Sequence, residues 1–168
     1  MASRRMLLGA AVAAPWLAGC DVPAVNTFPT LDAARQAIRG LPAGARHTGS
    51  FTVAQMMEHA AQSVEYSMQG FPAPKSALFQ ATLGRAAFAL FDARGQMNHG
   101  LAEPIPGAPA LALAQGAAVQ RLLAALDAFE AWSGPMAPHF AYGTLDKSAY
   151  ARAHLMHLAN HWTEVVTA

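Results

Sequence analysis

The sequence of 168 residues has few cysteines and few charges. Cys20 is the only cysteine, which excludes an internal disulfide, a Cys-X-X-Cys redox pair and a thiolate-rich zinc site. Charged residues make up 12% of the chain, with 11 basic against 10 acidic side chains. Proteins that bind nucleic acid need a basic surface that neutralises phosphates. We therefore expect no nucleic-acid partner.

The sequence also lacks several familiar catalytic signatures. It contains no G-x-S-x-G nucleophile elbow, no G-x-G-x-x-G dinucleotide loop and no G-x-x-x-x-G-K phosphate loop. Outside the N-terminus, no apolar run reaches the length of about 18 to 20 residues that an ordinary membrane-spanning helix requires. Any chemistry must therefore depend on other residues of the chain.

Hydrophobic residues, many of them alanine, make up 54% of the sequence. Alanine-rich segments separated by glycine and proline favour helices over strands, and a chain of this length is typical of a single domain with one core. We find no internal repeat and no segment with the alternation of a strand. The sequence therefore predicts an all-α helical bundle.

The clearest helix start lies at Thr52. Thr52 and Gln55 have the spacing of a capping box, and Phe51 and Met56 have the spacing of a hydrophobic staple. This helix should end before Gly70. The other predicted helices are a short one between Thr30 and Gly40, one from about Lys75 to Phe91, one over residues 111–131, and a last helix capped by Asp146. Residues 92–110 are predicted to form a long loop.

The N-terminus has the pattern of an export signal. Two arginines, Arg4 and Arg5, precede an apolar stretch that ends in LAGC at residues 17–20. This ending resembles the lipobox of bacterial lipoproteins, and the arginine pair resembles a twin-arginine motif. We predict a signal peptide over 1–19, a lipidated tether from Cys20 to residue 29, and a domain over 30–168. The chain is then exported to the bacterial cell envelope and anchored on the periplasmic side of the inner membrane. A plain cleaved signal is the alternative.

Histidines are concentrated near the C-terminus. On one helix, the spacing of His154, His157 and His161 places their side chains within an arc of roughly 60°. Neutral imidazole is the commonest metal ligand among side chains, and a His pair at i and i+4 can chelate one ion. His59 lies on another predicted helix. These histidines are therefore candidate metal ligands.

Two pairs of segments resemble a known family. Residues 51–59 (FTVAQMMEH) and 63–72 (SVEYSMQGFP) match one part, and 139–146 (HFAYGTLD) and 154–161 (HLMHLANH) match another. Together they resemble the bacterial family of unknown function numbered fifteen-sixty-nine, in the DinB/YfiT-like metalloenzyme superfamily. The resemblance implies an antiparallel four-helix bundle with a short extra helix. It also implies a three-histidine metal site, which in this chain is formed by His59, His157 and His161.

The sequence departs from the family pattern at two positions. The family usually has a second histidine at the position of Asn160 and a glutamine near the position of Glu164. Asn160 falls off the predicted ligand face, whereas Glu164 adds a carboxylate one turn beyond His161. Glu164 and His154 are therefore the candidate general bases of a catalytic reaction.

Three ligands on one ion would leave positions free for a substrate, as catalytic sites do. We predict a metal-dependent hydrolase or thiol S-transferase that uses a divalent ion (Zn, Ni, Fe or Mn) as a Lewis acid on an unidentified small molecule. The alternatives are an envelope lipoprotein that binds metal without catalysis, and an interaction module with a vestigial site. The sequence leaves a homodimer open.

Other residues have weaker functional patterns. His139 lies in a loop and either lines a cavity or is an ordinary loop histidine. Tyr66 shares a helix face with His59, although a buried core aromatic is the simpler interpretation. The eight methionines, with Met97 near His99 and Met136 near His139, permit a copper site. Flexible core packing explains most of them better.

Overall fold

The computed structural model describes residues 27–167 as a mostly helical domain. The predicted signal peptide, Cys20 and most of the predicted tether lie outside these residues. Within residues 27–167, none of the helices combines the length and the apolar character that crossing a bilayer requires.

The first two helices begin at the predicted caps. Helix α1 spans Leu31–Arg39, and the Thr30 hydroxyl accepts a hydrogen bond from the amide of Ala33. Helix α2 spans Val53–Gln69 and begins with the complete capping box of Thr52 and Gln55. It ends at Gly70, whose φ of 104° is accessible chiefly to glycine. Both helix predictions are confirmed.

The predicted third helix is shifted two to three residues toward the C-terminus and is irregular. It runs continuously through α3 (Ala77–Phe79), a π-helical turn (Gln80–Gly84) and α4 (Arg85–Arg94). Single π-helical turns are rare and often lie near functional sites. This turn brings Gly84 against the loop at Ala141, so closely that a Cβ at position 84 would collide with the carbonyl oxygen of Ala141.

Helix α5 spans Gln115–Ala131, four residues shorter at its start than the prediction of 111–131. The reason is a tertiary hydrogen bond: the carboxylate of Glu58 accepts from the backbone amides of Ala112 and Leu113, which holds that segment extended. Helix α6 spans Lys147–Trp162, and Asp146 caps it through the amide of Ala149 at 2.7 Å, as predicted.

The prediction of a purely helical chain was wrong in one detail. Strand β1 (Arg46–His47) pairs antiparallel with strand β2 (Val165–Val166), so that Arg46 faces Val166. Two residues are too few to show an alternating pattern, so the sequence gives no sign of these strands. The pairing brings the loop before α2 beside the end of α6. The mostly helical class is confirmed, whereas the antiparallel four-helix arrangement stays a prediction.

The core lies chiefly between α2 and α5, with α1 and α6 packed beside them. Arg121 on α5 ties these two helices together, because its guanidinium donates to the carboxylates of Glu58 and Glu65 on α2. Both glutamates are therefore structural. The core is built mainly from large apolar side chains, among them Phe28, Ile38, Met56, Met57, Leu122, Leu126, Phe129, Tyr150, Leu158 and Trp162.

Alanine substitutions at two glycines should change the stability of the protein in opposite directions. Gly84→Ala places a methyl group on the carbonyl of Ala141, so we expect it to lower the free energy of unfolding by about 1–3 kcal/mol. Gly116→Ala, in the first turn of α5, meets nothing within 4 Å and should raise it by roughly 0.4–1 kcal/mol. Urea unfolding monitored by circular dichroism measures both. Equal effects of the two substitutions would contradict the close approach at Gly84.

Candidate metal centre

Four histidines converge at one point of the fold. His59 comes from α2, His157 and His161 come from α6, and His99 comes from the loop between α4 and α5. Each offers a ring nitrogen, and these four atoms lie within 4.8 Å of one another. The Nε2 atoms of His59 and His157 are 3.1 Å apart. Histidines far apart in the sequence thus form one cluster.

The helices bring these rings together by simple geometry. His157 and His161 are one turn apart on α6, and the packing of α2 against α6 places His59 opposite them. The ring of Phe51, just before α2, stacks on His161 at 6.0 Å with an interplanar angle of 18°. Phe51 also contacts His59 at 5.4 Å. An apolar side chain therefore covers one side of the cluster.

The fourth histidine was not predicted as part of this site. His99 lies in a loop without periodicity, where no spacing rule connects it with α6. Its ring centroid is 4.8 Å from that of His157 and 5.1 Å from that of His161. The sequence signals here were the length of the loop, since long loops in compact domains are often functional, and the nearby Met97, which permitted a separate copper site.

Burial keeps all four imidazoles neutral. It lowers the pKa of His59 to about 4, with repulsion from His99 as a further cause. It lowers the pKa of His161 to about 2, again helped by neighbouring histidines. The pKa of His157 is well below its ordinary value for the same reasons, and burial also lowers that of His99. The neutral form is the one that ligates metals, so the lone pairs are available at pH 7.

The donor set fits a divalent cation. Tetrahedral ligands at 2.0–2.1 Å from an ion lie about 3.3 Å from one another, close to the 3.1 Å between the His59 and His157 nitrogens. Buried polar atoms normally have partners, yet several ring nitrogens here have none among the described residues: Nδ1 of His59, Nε2 of His99, and both nitrogens of His161. Because each ring offers an ion one nitrogen, a cation at the centre would satisfy Nε2 of His99 and one nitrogen of His161, which have no other partner among the described residues. Imidazole donors suit Zn, Cu, Fe and Ni.

A cavity of about 260 Å³ lies against this cluster. His59, His99 and His157 form part of its wall. Much of the remaining wall is apolar and includes Met97, Ile105, Phe140, Tyr142 and Ala153. The polar groups that line it include Ser63, Lys75, Glu103, His139 and His154. A cavity of roughly 150 Å³ accommodates benzene, so this one accommodates a somewhat larger molecule.

A family model described as "protein of unknown function" (DUF1569) matches residues 24–168. The chain belongs to this family. Comparisons with curated proteins and with solved structures return no match. Because the DUF1569 description assigns no activity, the function has to be argued from the site itself.

Asn160, where the resemblance implied a histidine, contacts His99 of the cluster. Its side-chain amide lies 2.7 Å from Nδ1 of His99. A hydrogen bond to the second ring nitrogen fixes the orientation of a metal-ligating histidine. In this family member, Asn160 on α6 therefore holds the loop histidine in place, although the sequence suggested that it lay off the ligand face.

Glu164 is not one of the four grouped candidate ligands. Helix α6 ends at Trp162, so a helical projection no longer describes residue 164. Its carboxylate lies 3.4 Å from Nε2 of His47, and its backbone carbonyl accepts from Thr48. Glu164 is not among the residues that line the cavity. Its predicted role as a general base stays a prediction.

His154 lines the cavity one turn before His157. Its Nε2 lies 3.2 Å from the hydroxyl of Ser67, and burial lowers its pKa to about 3. At neutral pH the ring is therefore an uncharged hydrogen-bonding group. Tyr66 packs against Phe71 at 5.7 Å and is not among the residues that line the cavity. Met97 lines the cavity, with its sulfur 4.0 Å from the Tyr142 hydroxyl.

The buried histidines predict acid sensitivity. Burial lowers the pKa values of His139 and His154 to about 3, whereas an unfolded histidine titrates near 6.5. Below pH 6.5 the unfolded chain binds protons that the native state does not, so stability falls as the pH falls. Each histidine should contribute up to about 1.4 kcal/mol per pH unit between roughly pH 6.5 and pH 3. Urea unfolding of the chelator-treated protein tests this, and a constant free energy of unfolding from pH 6.5 to 4 would contradict it.

Proposed function

We propose that this protein is a metal-dependent enzyme that acts on a small molecule in the cavity beside the four histidines. One observation carries the proposal: three of the four candidate ligands also line the cavity wall. A molecule in the cavity would therefore lie directly beside the ion. A purely structural metal site would have no need of an adjoining cavity.

The residues of the site divide into two groups under this proposal. His59, His99, His157 and His161 hold the ion, which when bound supplies Lewis acidity toward a substrate oxygen or sulfur. The cavity residues bind and orient the substrate. Glu103 is a carboxylate that lines the cavity, and it is the candidate proton acceptor there. The reaction class is hydrolysis or thiol transfer to an electrophile.

A second function is favoured by the number of donors. Four histidines complete the coordination of a tetrahedral ion such as zinc and leave it no free position. In that case the protein would bind metal without catalysis, as a carrier or sensor. The enzyme proposal therefore needs an ion that accepts a fifth or sixth ligand, or a His99 that moves aside.

Turnover with defined ions tests the proposal. The tag-free domain is stripped with chelator, loaded with Zn, Ni, Fe or Mn, and assayed for p-nitrophenyl acetate hydrolysis and for transfer of glutathione to 1-chloro-2,4-dinitrobenzene. We expect turnover in at least one loaded form, and none in stripped protein or in a His157→Ala, His161→Ala variant. One equivalent of bound ion without turnover in either reaction would favour the carrier.

We also propose that the chain is exported to the bacterial cell envelope and anchored to the inner membrane through a lipid on Cys20. The support is the LAGC ending of the apolar N-terminal stretch at residues 17–20. Growth of expressing bacteria with radiolabelled palmitate should label the full chain. Cys20→Ser should abolish the label and release the protein from the membrane fraction, whereas label in this variant would contradict the anchor.

A further inference from the structure

Besides the four-histidine cluster, the cavity contains two other histidines, and local hydrogen bonds determine where each one carries its proton. His139 belongs to a tight loop closed by a bridge to Gly143, with backbone N–H to O distances of 2.8 and 3.1 Å. Gly143 has a φ of 74°, in the region that favours glycine.

The Nδ1 atom of His139 is a hydrogen-bond acceptor. It accepts from the backbone amides of Ala141 and Tyr142, each at 3.1 Å. An atom that accepts from two N–H groups carries no proton, so in the neutral ring the proton lies on Nε2. The described residues give Nε2 no hydrogen-bond partner, and His139 lines the cavity. The cavity therefore contains an N–H donor.

The surroundings of His139 hold this donor in position. The ring stacks on Tyr142 at 4.2 Å with an interplanar angle of 6°. The neighbouring carbonyl of Phe140 accepts from the Gln80 amide at 3.2 Å and from the backbone of Lys75 at 2.8 Å. The close contact between Gly84 and Ala141 packs the same loop against the π-helical turn.

His154 also carries its proton on Nε2, but there the unprotonated nitrogen is the one that the described residues leave free. The Ser67 hydroxyl donates its proton to the carbonyl of Val64 at 2.6 Å, so its oxygen can only accept from Nε2 of His154, which lies 3.2 Å away. The proton of His154 is therefore on Nε2, and Nδ1 keeps its lone pair. His154 also lines the cavity. Both His139 and His154 pack against the ring of Tyr150, at 6.1 and 5.5 Å.

We propose that the cavity binds a small, mainly apolar molecule that carries a carboxamide. The carbonyl oxygen of the amide accepts from Nε2 of His139, and its N–H donates to Nδ1 of His154. An amide offers an acceptor to the His139 N–H and a donor to the His154 lone pair, whereas a ketone offers only the acceptor and a hydrocarbon offers neither. Both rings are neutral because burial lowers their pKa values to about 3. This inference rests on the proposed function, because it names the substrate class of the same site.

Two variants separate the hydrogen bonds from the fold. His139→Asn keeps an acceptor close to the position of Nδ1, and so keeps the loop capped, but it removes the donor at Nε2. His154→Gln keeps a donor toward Ser67 and removes the lone pair at Nδ1. Nitrogen chemical shifts of the wild-type rings first establish the two tautomers. Melting temperatures of both variants identify any general loss of structure.

Three probes of nearly equal shape test the recognition: benzamide, acetophenone and isopropylbenzene. NMR titrations measure their affinities for the full chain in detergent, in stripped and in zinc-loaded form. We expect His139→Asn to weaken benzamide and acetophenone about three- to tenfold, and His154→Gln to weaken benzamide alone by a similar factor. Isopropylbenzene should bind all three proteins alike.

Two results would contradict the amide inference. If both variants change the three affinities by the same factor, or change none of them, the amide inference is wrong. Zinc content, measured by elemental analysis of the same samples, reports on the metal site separately. A protein that binds none of Zn, Ni, Fe or Mn but discriminates the probes would overturn the proposed function and leave the amide site standing. A protein that binds zinc without discriminating the probes would do the reverse.

Discussion

The double variant His157→Ala, His161→Ala should bind no stoichiometric metal and should melt well below the metal-loaded wild type. It removes two of the four nitrogens that lie within 4.8 Å of one another, both of them on α6. An ion bound only by the native state stabilises the fold by about 2.7 kcal/mol when its free concentration is a hundred times Kd. For a domain of this size, that corresponds to roughly 5–10 °C in Tm. Elemental analysis and calorimetry measure the two effects.

Two controls separate metal binding from damage to the helix. Thr163→Ala, an exposed position just after α6, should retain one equivalent of metal. Removing the metal from the wild type with chelator should lower its Tm by the amount that metal binding adds. The same treatment should not change the Tm of the double variant. Equal melting temperatures of the metal-loaded wild type and the double variant would refute the site.

The single substitution His99→Ala should lower metal affinity more than about 100-fold while leaving the helices intact. Loss of a group that only orients a ligand costs about 10–100-fold, and loss of the ligand itself should cost more. Asn160→Ala removes the partner that lies 2.7 Å from His99, so we expect it to fall within that smaller range. Competition with a chromophoric chelator measures both affinities. Wild-type affinity in His99→Ala would mean that only three histidines bind.

The same variant distinguishes catalysis from storage. Cobalt(II) absorbs intensely when four-coordinate and weakly with five or six ligands, so it reports the coordination number. With all four histidines bound, the proposed enzyme needs a fifth position on the ion, so we expect a weak spectrum for the cobalt-loaded wild type. An intense tetrahedral spectrum that weakens only in His99→Ala would indicate a closed site and favour the metal carrier.

Local sequence signals predicted the features that depend on neighbouring residues. The caps at Thr30, Thr52 and Asp146 each satisfy an amide within three residues, so their side chains could be recognised without the fold. The same holds for His157 and His161, because the helical repeat alone places them on one face. His59 was different, since its pairing with them was implied only by the resemblance to the family.

Features that depend on distant residues were missed. The start of α5 is displaced because the carboxylate of Glu58, 54 residues earlier, accepts a hydrogen bond from the amide of Ala112. The two-residue strands exist only because β1 meets β2 across the fold, and that pairing begins where α6 has already ended. For the same reason, a helical projection misjudged the position of Glu164. The π-helical turn accompanies the contact between Gly84 and the loop at Ala141. No local sequence pattern predicts this contact.

The sequence by itself determined the helical class, the capped helix starts and the histidine pair on α6, because these follow from interactions within one or two turns. Tertiary structure alone decided that His99 joins the cluster and that Asn160 holds it. It also decided that His139 and His154 line a cavity with their protons on defined nitrogens. Burial and hydrogen bonds between distant segments set the charge state and the tautomer of an imidazole. The local sequence contains no information about either the burial or these hydrogen bonds.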